Sequence, residues 1–140
     1  MLKEIRFKTR DNMTVIIPLG WKYTLITGNG DTGKTYIFKE LSLYASNNNK
    51  SMVFLNQLTL QYVKMLPSLS EDILIVVDNF DLIRLSHPEI IDILNNMLNQ
   101  VLLIGRDCLG LRVGWDNEFY LVRRGNILTT EAIMKCSKKG

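Results

Sequence analysis

The sequence is short of the residues that build metal centres and disulfide frameworks. Its 140 residues contain two cysteines, Cys108 and Cys136, and one histidine, His87. The cysteines lie far apart and form no Cys-x-x-Cys pair, so a zinc site or a disulfide scaffold is hard to build from them. This usage fits a reducing compartment, and we expect a cytoplasmic protein.

Long hydrophobic runs and a large charge excess are also missing. The longest apolar run, at 73–77, falls well below the roughly 18 residues of a membrane-spanning helix. The N-terminal segment MLKEIRFKTR alternates charged and apolar residues, unlike a signal peptide. The net charge of +3 is too small to identify a nucleic-acid or membrane partner. We therefore expect a soluble protein without membrane insertion, and a nucleic-acid partner is left open without support from the residues.

Apolar residues are plentiful and follow patterns that predict strands and helices. With 46% hydrophobic residues and no repeat or linker, the chain is predicted to form a single domain over 1–140. The predicted strands are 2–9, 13–19, 23–27, 51–55, 73–77, 101–104, 118–122 and 127–130. The predicted helices are 34–44, 57–65 with Pro67 beyond its end, and Pro88 to about Asn99.

The order of these segments favours the α/β class. The segments at 73–77 and 101–104 are apolar throughout, which is typical of strands in the middle of a parallel sheet with helices on both faces. The first two strands and the last two strands are each joined by turn residues and are expected to form β-hairpins. We therefore predict a mainly parallel sheet with hairpins at both ends of the chain.

The segment GNGDTGKT is the clearest functional motif. It matches GxxxxGK[ST] between a predicted strand and a predicted helix, the context that a phosphate-binding loop requires. Glycines let backbone N–H groups approach a phosphate, and the start of the helix faces the anion. Lys34 is expected at the β and γ phosphates, and the Thr35 hydroxyl at Mg²⁺. The residues predicted to bind the nucleotide are Gly28, Asn29, Gly30, Asp31, Thr32, Gly33, Lys34, Thr35 and Tyr36.

An aspartate at the end of a buried strand is the expected partner of this loop. The segment ILIVVD ends in Asp78, and ligands of open α/β sheets bind beyond the carboxyl ends of the strands. We predict that Asp78 and Thr35 hold Mg²⁺, with capping of the next helix as the alternative role for Asp78. For Asp81, the sequence favours a catalytic role no more than a helix-capping or surface role.

At this point the chain resembles P-loop NTPases of the additional-strand branch, most closely a reduced ABC-type or RecF-like ATPase core. The segments that carry the resemblance are YTLITGNGDTGKT, ILIVVDNFD, VLLIGRD and FYLVRRGNIL. The resemblance implies a three-layer P-loop fold, ATP and Mg²⁺ as ligands, and ATPase activity. It adds Asn79 and Arg106, which stand at positions where the family has functional residues, to Asp78 and Asp81 as the candidate catalytic residues.

The chain departs from that family at three places. Asn79 stands where the family has a water-polarising Glu, and an amide cannot take a proton at neutral pH. Arg106 stands where the family has a histidine, and it is expected either to stabilise γ-phosphate charge or to form a structural salt bridge. The helical subdomain with its LSGGQ-like signature has no counterpart. These departures put fast hydrolysis by a dimer in question.

The absence of GTPase motifs favours ATP as the nucleotide. No DxxG follows Asp78 and no NKxD occurs. Trp21, Tyr23 and Tyr36 lie near the loop in sequence and are candidates to stack on the base, although aromatic residues at such positions more often belong to the core.

Three functions fit these observations. The first is an ATP–Mg²⁺ binding protein with slow or partner-stimulated ATPase activity, which acts as a nucleotide-gated regulatory or accessory module on a protein partner or by self-association. The second is a small-molecule kinase, for which 106–112 (RDCLGLR) is the candidate lid. The third is a catalytically inactive nucleotide-binding interaction module, which Asn79 favours.

Overall fold

The chain folds into a mixed α/β structure, which confirms the expected class. The computed structural model describes residues 2–19, 22–27, 34–105 and 118–132. The strands are β1 Glu4–Lys8, β2 Thr14–Pro18, β3 Tyr23–Thr27, β4 Met52–Leu55, β5 Leu74–Val77, β6 Val101–Ile104, β7 Glu118–Arg124 and β8 Ile127–Ala132. The helices are α1 Lys34–Asn47, the 3₁₀ helix Leu60–Ser68, α2 Phe80–Ser86 and α3 Glu89–Asn96.

The eight strands form one sheet in the order β1-β2-β8-β7-β3-β6-β5-β4. Strands β4, β5, β6 and β3 pair in parallel, and β7 joins β3 in parallel as well. The two hairpins, β1–β2 and β7–β8, are antiparallel, and a short parallel pairing between β2 and β8 links them. The predicted hairpins and the parallel centre are therefore present, and β6 separates β3 from β5.

Strand β5 shows how the parallel part of the sheet is buried. All four of its side chains are at most 1% exposed. Successive side chains of a strand point to opposite faces, so Leu74 and Val76 enter one core cluster while Ile75 and Val77 enter the other. The first core cluster includes Ile37, Phe38 and Leu41 of α1 together with buried residues of the β1–β2 hairpin. The second includes Val63, Leu66, Phe80, Ile83, Ile90 and Leu94 from the 3₁₀ helix, α2 and α3.

The β1–β2 hairpin is buried on one face only. In β1, Ile5 and Phe7 are buried whereas Glu4, Arg6 and Lys8 are exposed. This alternation is typical of a strand with one face on the core and the other toward solvent.

Three helix boundaries differ from the sequence-based prediction. Helix α1 continues beyond residue 44 to Asn47, and the chain then turns through Asn49, which has a φ of 51°. The helix predicted at 57–65 is instead the 3₁₀ helix, which runs through Pro67. Proline fits there because its fixed φ of about −65° lies in the 3₁₀ range.

The region predicted as one helix from Pro88 ends earlier and is preceded by a second helix. Helix α3 stops at Asn96, because Met97 is extended and the chain there turns back toward the sheet. The buried Asn99 amide then donates hydrogen bonds of 2.8 Å to the carbonyl oxygens of Ser70 and Ile73. Helix α2, whose bounds were not predicted from the sequence, lies directly before it. No helix among the described residues is both long enough and apolar enough to cross a membrane.

Candidate functional site

The carboxyl ends of three parallel strands lie side by side at one edge of the sheet. Ile26 of β3 pairs with Ile104 of β6, and Val77 of β5 pairs with Leu103 of β6. Asp78, the next residue after Val77, is therefore level with Ile104. Neighbouring strands are about 4.8 Å apart, so the ends of β3 and β5 are separated by roughly 10 Å with β6 between them.

The predicted phosphate loop leaves the sheet at this edge. Thr27 is the last residue of β3 and Lys34 is the first residue of α1, so the loop connects these two elements. Thr35 follows in the first turn of α1 and is exposed. Residues 28–33, the side chain of Lys34, and Arg106 with the candidate lid at 106–112 lie outside the described residues.

Asp78 lies at the carboxyl end of β5 and is 5% exposed. Its N–H donates to the carbonyl oxygen of Leu55 at 2.9 Å, which fixes its backbone beside β4. Its carboxylate Oδ1 accepts a hydrogen bond of 3.0 Å from the N–H of Asn79. The N-cap position of α2 is Asn79, so Asp78 does not occupy the capping position that was its alternative role.

Asn79 joins β5 to α2 in a left-handed backbone conformation. Its φ and ψ are 55° and 44°, and its side chain makes no capping hydrogen bond. Its carbonyl oxygen accepts hydrogen bonds from the N–H groups of Leu82 and Ile83 at 2.9 and 3.1 Å. Asparagine adopts this conformation more readily than most residues, so Asn79 serves the turn between strand and helix through its backbone.

Asp81 lies in the first turn of α2, close to the end of β6. Its Oδ1 is 2.8 Å from the position that a Cβ atom on Gly105 would occupy. Gly105 is in turn held beside β3, because its N–H donates to the carbonyl oxygen of Ile26 at 3.1 Å. The structure therefore brings Asp81 and Asp78 to the same edge of the sheet, and the N-cap role considered for Asp81 belongs to Asn79.

The aromatic candidates for base stacking differ in their surroundings. Tyr23 is 2% exposed, and its hydroxyl donates to Asn95 Oδ1 at 2.5 Å, so it belongs to the core. Burial raises the pKa of Tyr23. Tyr36 is partly exposed and its hydroxyl donates to Asp11. Burial, followed by that hydrogen bond, raises the pKa of Tyr36. Trp21 lies outside the described residues.

A charged cluster beside Tyr36 was not found by sequence analysis. Arg10, in the β1–β2 turn, donates to Glu40 Oε2 from Nε at 2.9 Å and from Nη2 at 2.7 Å. The Arg10 N–H donates to Glu40 Oε1 at 3.0 Å. These contacts lower the pKa of Glu40, mainly through the guanidinium hydrogen bonds. The sequence signal that could have indicated this cluster is Glu40, a single glutamate beside the apolar positions of α1.

The described residues are compatible with Mg²⁺ held together with a phosphate. They contain no group of three His, Cys, Asp or Glu side chains that could form a metal cage. Magnesium, however, commonly takes one or two protein oxygens and completes its shell with phosphate oxygens and waters. Asp78 at the strand end and the Thr35 hydroxyl in α1 offer such oxygens.

Comparisons with protein-family models, with curated proteins and with solved structures find no match to this chain.

Proposed function

We propose that this protein binds ATP with Mg²⁺ and hydrolyses it slowly or on contact with a partner, acting as a nucleotide-gated regulatory or accessory module. One observation carries the proposal. The segment GNGDTGKT follows the carboxyl end of β3 and includes the first two residues of α1, and Asp78 follows β5 at the same edge of the sheet. A phosphate at the start of α1 and a cation at Asp78 would therefore face each other across the end of β6.

The strand order supports the resemblance to the additional-strand branch of P-loop NTPases. In that branch a further strand lies between the loop strand and the strand that ends in the metal-binding aspartate. Here β6 lies between β3 and β5. The two core clusters, with α1 in one and the other helices in the second, support a three-layer arrangement.

Exposed apolar side chains support a protein partner or self-association. The elements that cover the second core cluster, with the turns beside them, carry most of the large apolar side chains that are exposed in the described residues. These are Leu58, Tyr62, Met65, Leu82, Leu85 and Leu98. Leu58 is 84% exposed and Leu85 is 73% exposed. Where such side chains form a continuous apolar patch, the patch frequently marks an interaction site.

A catalytically inactive nucleotide-binding module is the second candidate. Asn79 favours it, because the residue after the metal-binding aspartate is an amide that cannot accept a proton. The small-molecule kinase is not supported by the described residues, since its candidate lid lies outside them.

Titration with labelled ATP tests the proposal, with Lys34→Ala compared against the wild type. We expect at least a roughly tenfold loss of affinity, because the substitution removes the loop cation that would pair with the β and γ phosphates. Lys39→Ala is the matched control, since Lys39 is an exposed lysine on the same helix. Equal affinity of a folded Lys34→Ala variant and the wild type would show that this loop is not the nucleotide site.

A further inference from the structure

The resemblance to P-loop NTPases places the water-polarising residue at position 79. The structure favours Asp81, two residues further along the chain, for this role. We propose that Asp81, and not Asn79, is the carboxylate that polarises the water attacking the γ phosphate. This inference rests on the proposed function, because it requires ATP at the loop that follows β3. It deepens that function by naming the residue that would carry out the chemical step.

Strands β3 and β6 end at the same level of the sheet. Ile26 is level with Ile104, and the Gly105 N–H donates to the Ile26 carbonyl oxygen. Gly105 therefore lies beside the end of β3, where the chain passes through Thr27 into the loop. A group above Gly105 is about 4.8 Å, one strand spacing, nearer to the loop strand than a group at the end of β5.

Asp81 occupies that place. Its Oδ1 lies at contact distance from Gly105, 2.8 Å from where a Cβ atom would stand. Asp78, by contrast, continues β5 itself. The two carboxylates therefore lie at the ends of different strands, with Asp78 at the end of β5 and Asp81 over the end of β6, the strand adjacent to β3. This arrangement suits one carboxylate for the metal and the other for the water.

The fold holds Asp81 in place from two sides. Phe80 and Ile83 are both fully buried in the second core cluster, which anchors α2 against the sheet on either side of Asp81. A glycine at 105 leaves room for the carboxylate, because any larger residue would bring its Cβ to 2.8 Å from Oδ1, closer than a normal contact. The backbone N atoms of Phe80 and Asp81 are 3.5 Å from that Cβ position, which is an ordinary contact. An alanine at 105 would therefore displace mainly the Asp81 carboxylate.

The chemical step needs a group that can take a proton. The oxygen of water forms a bond to the γ phosphorus as the bond from that phosphorus to the β–γ bridging oxygen breaks. The bridging oxygen leaves with the electron pair as part of ADP, and the water proton passes to the Asp81 carboxylate and then to solvent. The products are ADP and inorganic phosphate. Asn79 cannot take that proton, because its amide is not basic at neutral pH.

Single-turnover hydrolysis of labelled ATP, with protein in excess and Mg²⁺ present, tests the assignment. We expect Asp81→Asn to slow hydrolysis roughly 100-fold, the lower range of a general base contribution, without a change in ATP affinity. Gly105→Ala should also slow hydrolysis, because it displaces the carboxylate without removing it. Asp92→Asn is the matched control, since Asp92 is an exposed aspartate in the first turn of the neighbouring helix α3. Thermal unfolding checks that each variant folds.

Each outcome decides the assignment. Hydrolysis by Asp81→Asn at the wild-type rate overturns it, and so does a wild type that binds ATP but never hydrolyses it. Gly105→Ala at the wild-type rate would show that the carboxylate does not act from its place over β6. In these cases ATP binding remains and the nucleotide site stands. A wild type that fails to bind ATP, or a Lys34→Ala variant that binds it equally well, would instead remove the proposed function.

Discussion

The parallel part of the sheet and the β1–β2 hairpin are built differently although they share a core. Strands β3, β5 and β6 are buried along their whole length, whereas β1 alternates between buried and exposed side chains. A strand covered on both faces can present polar groups only at its ends. The candidate site therefore lies at the carboxyl edge of the parallel part, while the hairpin displays its charged residues along its open face.

Matched isoleucine substitutions test how different the two regions are. Ile75→Ala in β5 should lower the free energy of unfolding by about 2 to 5 kcal/mol, because Ile75 is completely buried and its removal leaves a cavity. Ile16→Ala in β2 should cost about 1 kcal/mol, because Ile16 is only half-buried. Urea denaturation measures both. Equal losses would contradict the contrast drawn between the regions.

The sequence predicts the parallel strands well because their apolar runs are bounded by polar residues. The predicted bounds of β3 and β6, 23–27 and 101–104, agree with the structure at both ends. The helices are less predictable. Helix α2 has seven residues and packs through Phe80 and Ile83, too few apolar positions to establish a helical period. Periodicity likewise does not distinguish the 3₁₀ helix from an α-helix over so short a segment.

The candidate site is predictable from the sequence only where it depends on the pattern of a single strand. The edge location of Asp78 follows from its place after an apolar strand, without knowledge of the strand order. The approach of Asp81 to Gly105 does not, because it depends on β6 lying beside β3 and on the direction that α2 takes. The hydrogen bonds between Arg10 and Glu40 also join residues distant in sequence. Such contacts leave no local pattern.

Each of the two regions has an asparagine in the left-handed conformation. Asn79 has a φ of 55° at the candidate site, and Asn12 has a φ of 69° in the β1–β2 turn. Replacing either with Glu should lower stability by about 1 kcal/mol, because Glu disfavours this conformation. Asn79→Gly should avoid the loss, since glycine adopts it freely. Thermal unfolding of the three variants measures the effect.

The same Asn79→Glu variant also bears on catalysis. If Asp81 polarises the water, the new carboxylate should leave single-turnover hydrolysis unchanged, and Asn12→Glu should do the same. A roughly 100-fold gain in Asn79→Glu alone would show instead that the amide at 79 limits hydrolysis. It would also contradict the assignment of Asp81.

The smallest expected effect concerns the ion pair that joins the hairpin to α1. Glu40 is buried, and its hydrogen bonds with Arg10 lower its pKa below the usual 4.5. A carboxylate with a lowered pKa stabilises the fold above its unfolded pKa, and that stability is lost as the pH falls through the folded value. Glu40→Gln should therefore lower the thermal midpoint at pH 7 by roughly 2 °C, and the difference from the wild type should shrink below pH 4.5.

Glu4→Gln is the control for this pair, because Glu4 contacts Arg6 within the exposed face of the same hairpin. Exposed pairs contribute little, since water and salt screen both charges. We expect Glu4→Gln to leave the midpoint unchanged at both pH values. Thermal unfolding followed by circular dichroism between pH 3 and pH 7 gives the measurement. If Glu40→Gln kept the same difference from the wild type across this range, the carboxylate charge would not be the source of the stability. Glutamine keeps the size of the Glu40 side chain but has one acceptor oxygen fewer, so a lost hydrogen bond from Arg10 would then account for the difference.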